Sequence, residues 1–243
     1  MIIATSIIKG GTGKTTTAAA LAQAATFGGK SVLCVDMDPQ ANLTELFEAE
    51  DGPGALELLK GKKPADVITA TNQRIDLVRG AADLATVTTS KGSAHRLKNV
   101  LSPLQAIYDY IIIDTPPAFS ELTYNALTAA ELVIIPLDTD NNAIKGLYDV
   151  TDTLKKLNKS AAAASIVTKY DQRPNLNRFY YDAIAKASEE CGAFFWGSVR
   201  PGVAIKEAQA FKKSVFEYAP KAKPARDYMR IFEDLETLRT SEQ

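Results

Sequence analysis

The sequence predicts an α/β protein: a single doubly wound, mostly parallel sheet with helices on both faces. Short apolar runs alternate along the chain with alanine- and leucine-rich segments of helical character. Several runs, such as YIIID at residues 110–114, are apolar at consecutive positions, as expected for parallel strands that are covered on both faces. Neither an internal repeat nor a long linker interrupts the 243 residues, so we expect one domain over residues 1–243.

The strands and helices follow from this alternation. Runs rich in Ile and Val predict strands at residues 2–8, 31–36, 75–78, 110–114, 132–136 and 165–168. Segments between and after them predict helices at residues 14–27, 94–107, 121–130, 143–158 and 176–191. The four alanines at residues 161–164 are expected to lead into the last strand, and the polar segment 80–93 predicts no definite element. Near the end of the chain, apolar residues at helical spacing predict a core-packing helix: Tyr228, Ile231, Phe232, Leu235 and Leu238.

Composition excludes several classes of protein. Apolar residues make up 46% and charged residues 23% of the chain, and 28 basic residues nearly balance 29 acidic ones, which argues against a disordered or fibrous protein. Two cysteines, Cys34 and Cys191, do not make a disulfide framework, and one histidine, His95, leaves little for a zinc site or a Ser-His-Asp triad. Without a signal peptide or a membrane-spanning run, we expect a cytoplasmic protein.

The strongest motif is IKGGTGKTTT at residues 8–17, between the first predicted strand and the first predicted helix. Glycines let consecutive backbone N–H groups point inward around a phosphate, and the helix dipole adds to this attraction. Lys14 would then reach the β- and γ-phosphates, and the Thr15 hydroxyl would bind Mg²⁺. Isoleucine at position 8 departs from the usual GxxxxGK[ST] pattern, and a glycine turn capping an ordinary helix is the alternative. The residues expected to bind the nucleotide here are Gly10, Gly11, Thr12, Gly13, Lys14, Thr15 and Thr16.

The stretch KGGTGKT, residues 9–15, resembles the deviant Walker A loop of the ParA/MinD group of P-loop ATPases. That resemblance implies ATP as the nucleotide and a homodimer in which Lys9 reaches across the interface to the partner's phosphates. Taken alone, Lys9 would be a solvated lysine at the end of a strand.

Two acidic motifs follow. In VLCVDMDPQANLT, residues 32–44, Asp36 and Asp38 point the same way on an extended chain, although Asp-Pro also begins ordinary turns. The motif resembles the switch I region of ParA-type ATPases, which implies that Asp38 activates the attacking water while Asp36 supports the magnesium shell.

The second acidic motif is DYIIIDTPPAFS, residues 109–120, in which Asp114 ends an apolar strand. This pattern is typical of a Walker B motif, whose carboxylate holds Mg²⁺, and the ParA family has a very similar sequence. The alternative is a core strand with an incidental terminal Asp.

Two later segments bear on the nucleotide base. VTKYD at residues 167–171 is superficially like the loop by which many GTPases recognise guanine, so GTP stays open as an alternative. TKYDQR, residues 168–173, is however also similar to a stretch of ParA-type proteins, which use ATP. The segment SVRPGVAIKEAQAF, from residue 198, looks like a divergent version of the family's adenine-bordering segment, which implies that Arg200 and Pro201 border the base.

The resemblance covers most of the chain and implies a ParA/Soj-type partition ATPase. Such a protein forms an ATP sandwich dimer, binds DNA nonspecifically near the nucleoid, hydrolyses ATP to ADP and phosphate, and works with a centromere-binding, ParB-like adaptor. Residues 196–230 carry a net charge of +5, which predicts a DNA-binding surface, although a solvated face is the plain alternative. The candidate DNA contacts are Arg200, Lys206, Lys212, Lys213, Lys221, Lys223, Arg226 and Arg230.

Other functions are less well supported. A MinD-like ATPase that regulates a protein partner or a membrane site is the main alternative, but residues 231–243 carry a net charge of −3 where a basic amphipathic helix would bind membrane. A nitrogenase-reductase-like electron carrier would need cluster-binding cysteines, whereas Cys34 and Cys191 have the sequence context of buried structural thiols. A synthetase of the dethiobiotin type would need a substrate pocket that the sequence does not identify.

Overall fold

A computed structural model describes residues 1–88 and 93–241 of the chain. Within these residues the strands are β1 (Ile2–Thr5), β2 (Val32–Asp36), β3 (Ile68–Ala70), β4 (Asp76–Val78), β5 (Tyr110–Asp114), β6 (Leu132–Leu137), β7 (Ala162–Val167) and β8 (Phe194–Ser198). The α-helices are α1 (Lys14–Phe27), α2 (Asn42–Leu46), α3 (Ala55–Leu59), α4 (Arg96–Leu101), α5 (Glu121–Ala129), α6 (Ala143–Leu157), α7 (Asn175–Cys191), α8 (Val203–Ala210), α9 (Val215–Tyr218) and α10 (Lys223–Ser241). Short 3-10 helices cover Pro64–Asp66, Ala82–Thr86, Ser93–His95 and Ser102–Ala106.

All of these strands form one sheet in the order β3-β4-β2-β5-β1-β6-β7-β8. Every neighbouring pair is parallel except β3 and β4, which are antiparallel. The predicted fold class is therefore confirmed. Strands β6, β7 and β8 lie on one side of β1, and β5, β2, β4 and β3 lie on the other, so the chain winds to both sides of β1 as in a doubly wound sheet.

Side chains alternate between two buried layers. Ile111 and Ile113 of β5 face the layer covered by α3 to α7, while Tyr110 and Ile112 face the layer covered by α1, α2 and α8 to α10. Both layers are apolar, which explains why the strand sequences are hydrophobic at consecutive positions. The predicted C-terminal helix is confirmed as α10, and it packs on α1 with the Tyr228 hydroxyl 3.2 Å from Thr17 Oγ1.

Several predicted boundaries were wrong. β1 ends at Thr5 rather than residue 8, because the chain turns there into the glycine-rich loop. The predicted helix 94–107 is divided: α4 ends at Leu101, and Pro103, which lacks an N–H group, lies in the 3-10 helix that follows. The alanine tract does not lead into β7 but forms it from Ala162, because pairing with β6 and β8 overrides the helical preference of alanine.

Strands β3 and β8 were not predicted. β3 is three residues long and only partly buried, and β8 is irregular, with a shifted register and a left-handed Gly197 at φ 78°. Part of the segment 80–93 forms the 3-10 helix Ala82–Thr86, while residues 89–92 lie outside the described residues. Over residues 1–88 and 93–241, no helix is long and apolar enough to cross a membrane.

The parallel register brings polar strand ends together. Asp36 of β2 and Thr5 of β1 both lie opposite Asp114 of β5, at the carboxyl edge of the sheet. The loop after β1 starts from the same edge. In open α/β sheets, ligands bind in the crevice outside the carboxyl ends of the strands.

Candidate nucleotide-binding site

The loop between β1 and α1 has a backbone that requires glycine. Gly11 has φ 77° and Gly13 has φ 95°, both in the left-handed region, and Gly13 is the N-cap of α1. This turn starts α1 at Lys14, so that the free N–H groups of the helix end lie beside the crevice, where they favour an anion.

Thr15 and Asp114 form the closest contact between this loop and the strand ends. Thr15 Oγ1 donates to Asp114 Oδ2 at 2.6 Å, and Thr5 Oγ1 donates to the other carboxylate oxygen at 3.2 Å. Burial, reinforced by the neighbouring Asp36, raises the pKa of Asp114 to about 7. A hydroxyl and a carboxylate are hard oxygen donors, so this pair fits Mg²⁺ that is also bound to phosphate.

Lys14 is buried, with 6% of its surface exposed, and its Nζ donates to the Lys9 carbonyl oxygen at 3.2 Å. Burial lowers the pKa of Lys14, while Asp114 and Asp38 oppose this effect. Burial removes water from the Lys14 ammonium at the start of α1. A bound phosphate would compensate for this lost hydration, because the attraction between opposite charges is strong where water is excluded.

Asp36 is held by Asp38 of the loop that follows β2 and by Thr44 of α2. Thr44 donates to Asp36 Oδ2 through its backbone N–H at 2.9 Å and its hydroxyl at 2.7 Å, and the Asp38 N–H donates to Oδ1 at 3.1 Å. Burial raises the pKa of Asp36. The carboxylate therefore fixes the loop that carries Asp38, and its place in the magnesium shell stays a prediction.

Asp38 lies at the start of this loop and is 5% exposed. Its Oδ1 accepts from the Gln40 N–H at 2.9 Å, and its carbonyl accepts from the Ala41 N–H at 2.9 Å, which is a turn that Asp-Pro commonly begins. The turn keeps Asp38 near Lys14 and Asp114. Its negative charge therefore raises the pKa of both groups.

Lys9 contacts acidic residues of its own chain. Its Nζ lies 3.2 Å from Asp138 Oδ2 and also donates to Asp140, in the segment that follows β6. The hydrogen bond to Asp140 raises the pKa of Lys9, and 39% of the side chain is exposed. In the single chain, Lys9 is thus bound at the rim of the crevice.

Residues after β7 support the loop between β1 and α1, which is the candidate phosphate loop, and the sequence analysis missed this role. Thr168 Oγ1 donates to the Thr12 carbonyl at 2.7 Å, and Lys169 Nζ donates to the Gly11 carbonyl. The signal was present, since VTKYD follows a strand that ends at the same edge of the sheet.

A cavity of about 620 Å³ lies between this segment and the start of α10. Arg200 and Pro201, predicted to border the base, line it together with Tyr170, Asp171 and Arg173. The Arg200 guanidinium is paired with Asp227, at 2.9 Å from Nε and 2.6 Å from Nη2. This pairing raises the pKa of Arg200 and fixes it as part of the cavity wall.

The candidate DNA contacts differ in their surroundings. Lys212 is only partly exposed, and its Nζ donates to the Glu45 carbonyl at 2.9 Å, which ties it to α2. Arg200 is paired with Asp227, and Arg230 donates to the Ser198 carbonyl at 3.0 Å. Within residues 1–88 and 93–241, the members with exposed side chains and no such hydrogen bond or ion pair are Lys206, Lys213, Lys221 and Lys223.

Comparison with known proteins agrees with this geometry. Residues 1–166 match the family model described as AAA domain. The chain is 32% identical to the chromosome-partitioning ATPase Soj of Thermus thermophilus, over 93% of this chain and 92% of the relative. It is 31% identical to the chromosome partitioning protein ParA of Caulobacter vibrioides, over 92% and 89% of the two chains.

A solved structure adds a nucleotide and a metal. Cobyrinic acid a,c-diamide synthase from Mycobacterium smegmatis, with bound ADP and magnesium, superposes with a TM-score of 0.82 at 27% identity, covering all of this chain and 96% of the other. The nucleotide and magnesium belong to that protein, but the fold around them is shared. Taken together, the family match, the two partition relatives and the site geometry show that this chain belongs to the ParA/Soj-type partition ATPases within the AAA-domain family.

Proposed function

We propose that this protein is an ATP-dependent DNA-partition ATPase that forms an ATP sandwich dimer, binds DNA nonspecifically and hydrolyses ATP to ADP and phosphate. The observation that carries the proposal is the convergence of buried Lys14, the Thr15–Asp114 pair and Asp38 at one edge of the sheet. The three groups are those that phosphoryl transfer requires: a cation for the phosphates, oxygen ligands for a metal and a carboxylate for the water.

Each residue has a defined task in this proposal. Lys14 and the N–H groups of residues 10–16 bind the β- and γ-phosphates, and Thr15 and Asp114 hold Mg²⁺, with Asp36 supporting that shell. Bound magnesium supplies charge neutralisation on the phosphate oxygens. Asp38 orients the attacking water and accepts its proton, because its turn keeps the carboxylate near both Lys14 and Asp114.

Dimerisation uses Lys9. Two triphosphates that face each other repel, and one additional lysine from each subunit offsets that repulsion. Lys9 already lies at the rim of the crevice, so it can exchange Asp138 and Asp140 for a phosphate of the partner subunit. Hydrolysis removes part of the negative charge and thereby weakens the dimer.

DNA binding is assigned to the exposed lysines of the C-terminal third. A dimer doubles their number, and contacts to phosphates give affinity without sequence preference. We propose nucleoid association for the ATP dimer and a centromere-binding, ParB-like adaptor as its partner. Names of the relatives support chromosome partitioning as the process.

The deciding experiment measures DNA binding and molecular mass in parallel with ADP, ATP and a nonhydrolysable ATP analogue. We expect a monomer with ADP, and a dimer that binds unrelated DNA sequences equally with the analogue. A dimer that binds no DNA would contradict the proposed function and would favour regulation of a protein partner.

A four-residue variant tests the surface itself. Changing Lys206, Lys213, Lys221 and Lys223 to Gln should weaken DNA binding by about tenfold or more and flatten its salt dependence, because several phosphate contacts are lost per dimer. Lys212 is left intact because it ties the surface to α2. The matched control changes four exposed lysines elsewhere: Lys62, Lys155, Lys156 and Lys159. Equal loss in both variants would mean that net charge, rather than this surface, binds DNA.

A further inference from the structure

The segment that follows β7 places Asp171 in the wall of a cavity. Thr168 and Lys169 are bonded to carbonyls of the phosphate loop, so the residues after them line the adjoining 620 Å³ cavity. Arg200 and Pro201 form another part of the same wall. If the phosphates bind at Lys14, as proposed above, this cavity is where the base lies, and the present inference rests on that proposed function.

Both carboxylate oxygens of Asp171 accept hydrogen bonds from Arg173, two residues away. Arg173 donates through its backbone N–H at 3.1 Å and through Nε at 2.9 Å to Oδ1, and through Nη2 at 2.5 Å to Oδ2. Arg173 lowers the pKa of Asp171 to about 2. The Asn177 side chain also donates to the Asp171 carbonyl at 2.8 Å, which fixes the turn to the start of α7.

The two purines differ in what they offer to this carboxylate. Guanine presents two adjacent donors, N1–H and the 2-amino group, which match the two oxygens of a free carboxylate. Adenine has an acceptor at N1, so it cannot form this paired contact. A carboxylate already neutralised and bonded by a guanidinium fork gains little from guanine.

We propose that Arg173 determines base specificity by occupying Asp171, which withholds from guanine the carboxylate that would otherwise bind it. The pair is on the surface of the cavity, with 87% of the Arg173 side chain exposed, so we expect a moderate effect on affinity. The effect should be confined to the choice of base, because Arg173 lines the cavity and not the phosphate loop.

The test compares Mg·ADP with Mg·GDP by calorimetry on the full chain, since diphosphates avoid coupling to dimerisation. Arg173→Ala should raise GDP affinity relative to ADP by at least about threefold, a moderate gain of the size expected for an exposed charge pair. The double variant Asp171→Asn/Arg173→Ala should return to the wild-type ratio, because the freed carboxylate is gone. Lys186→Ala, which removes an exposed positive charge on α7, is the control and should leave the ratio unchanged.

The outcomes separate this inference from the proposed function. An unchanged ratio in Arg173→Ala, with ADP still bound, overturns the role of Arg173 and leaves the ATPase proposal standing. A ratio that rises equally in the double variant also overturns it, because the gain would then not come from Asp171. Failure of the wild-type chain to bind ADP overturns the proposed function and this inference with it.

Discussion

At the scale of single residues, Lys9 is bound by two carboxylates that the sequence analysis did not connect with it. Asp138 and Asp140 follow β6, which neighbours β1 in the sheet, so the fold alone brings them to the loop. In the proposed dimer these contacts compete with the partner's phosphates. The cost of releasing Lys9 is therefore part of the free energy of dimerisation.

Asp140→Asn tests this competition. Neutralising one of the two carboxylates should strengthen the analogue-bound dimer several-fold, as expected for a half-exposed ion pair worth about 0.2–1 kcal/mol. Analytical ultracentrifugation over a range of protein concentrations measures the dimer dissociation constant. Asp152→Asn, an exposed acid on α6, is the control, and a weaker dimer in Asp140→Asn would contradict the competition.

Lys9→Ala makes the reciprocal prediction. Without the second lysine, ATP-dependent dimerisation and hydrolysis should both be lost, while ADP binding measured by calorimetry stays close to that of the wild type. ADP binding should survive because Lys14 and the loop N–H groups bind the phosphates within one chain. Normal dimers and normal turnover in this variant would exclude the role proposed for Lys9.

Asp38→Ala should separate binding from chemistry. Because Asp38 is assigned to the attacking water, its loss should reduce the hydrolysis rate to near background while ATP dimers persist. Phosphate release and molecular mass, measured on the same sample, check both halves of the prediction. Loss of ATP affinity instead would identify Asp38 as a structural or metal-binding residue and make Asp36 the candidate for the water.

At the scale of elements, the loop between β2 and α2 is fixed from two sides. On one side, the Thr44 hydroxyl donates to the Asp36 carboxylate. On the other side, Gly80, in the segment after β4, donates its N–H to Thr44 Oγ1 at 2.8 Å. Thr44 thus links the Asp36 carboxylate to the segment after β4, and the same carboxylate accepts from the Asp38 N–H and holds its turn. The two segments depend on each other, because each would lose buried hydrogen bonds if the other moved.

Gly80→Ala should damage this junction. A Cβ at Gly80 would lie 2.8 Å from Asp36 Cγ and 2.9 Å from the Asp38 carbonyl oxygen, closer than real Cβ contacts allow. Relief of this overlap should cost about 1–3 kcal/mol of unfolding free energy and should slow hydrolysis as Asp38 shifts. Urea denaturation checks the first effect, and Gly52→Ala, where a Cβ meets open space, is the control.

At the scale of the whole molecule, ligand binding should stabilise the fold. Mg·ADP at about 100 times its dissociation constant contributes about 2.7 kcal/mol, which corresponds to a rise in Tm of several degrees for a chain of this size. Removal of magnesium with EDTA should reduce the rise, because the metal that we propose for Thr15 and Asp114 is then absent. Thermal unfolding followed by fluorescence measures both.

Thr15→Ala should make the ADP-induced rise in Tm insensitive to EDTA. Thr26→Ala, at the other end of α1, should keep the full magnesium dependence, since its hydroxyl donates to a carbonyl of its own helix. If Thr15→Ala keeps the same dependence on magnesium, the assignment of the Thr15 hydroxyl as a metal ligand is wrong.

The sequence by itself determined the fold class and the central strands. The phosphate loop, the strand of Asp114 and the C-terminal helix depend on local signals: glycines that permit left-handed φ, consecutive apolar residues, and apolar side chains at helical spacing. Those signals act over short stretches of chain. They therefore predict these elements without any knowledge of contacts between distant residues.

The sequence predicted that Lys14, Thr15 and Asp114 share one site, but tertiary structure alone decided which distant side chains hold the loops at this edge of the sheet. The alanines of β7 form a strand because neighbouring strands pair with them, although alanine favours helices. Lys9 binds acids 129 and 131 residues away, Thr168 supports a loop 156 residues away, and Lys212 contacts α2. Such pairings depend on strand order, and strand order is set by the burial of two apolar layers rather than by any local motif, which is the physical reason that the sequence could not supply them.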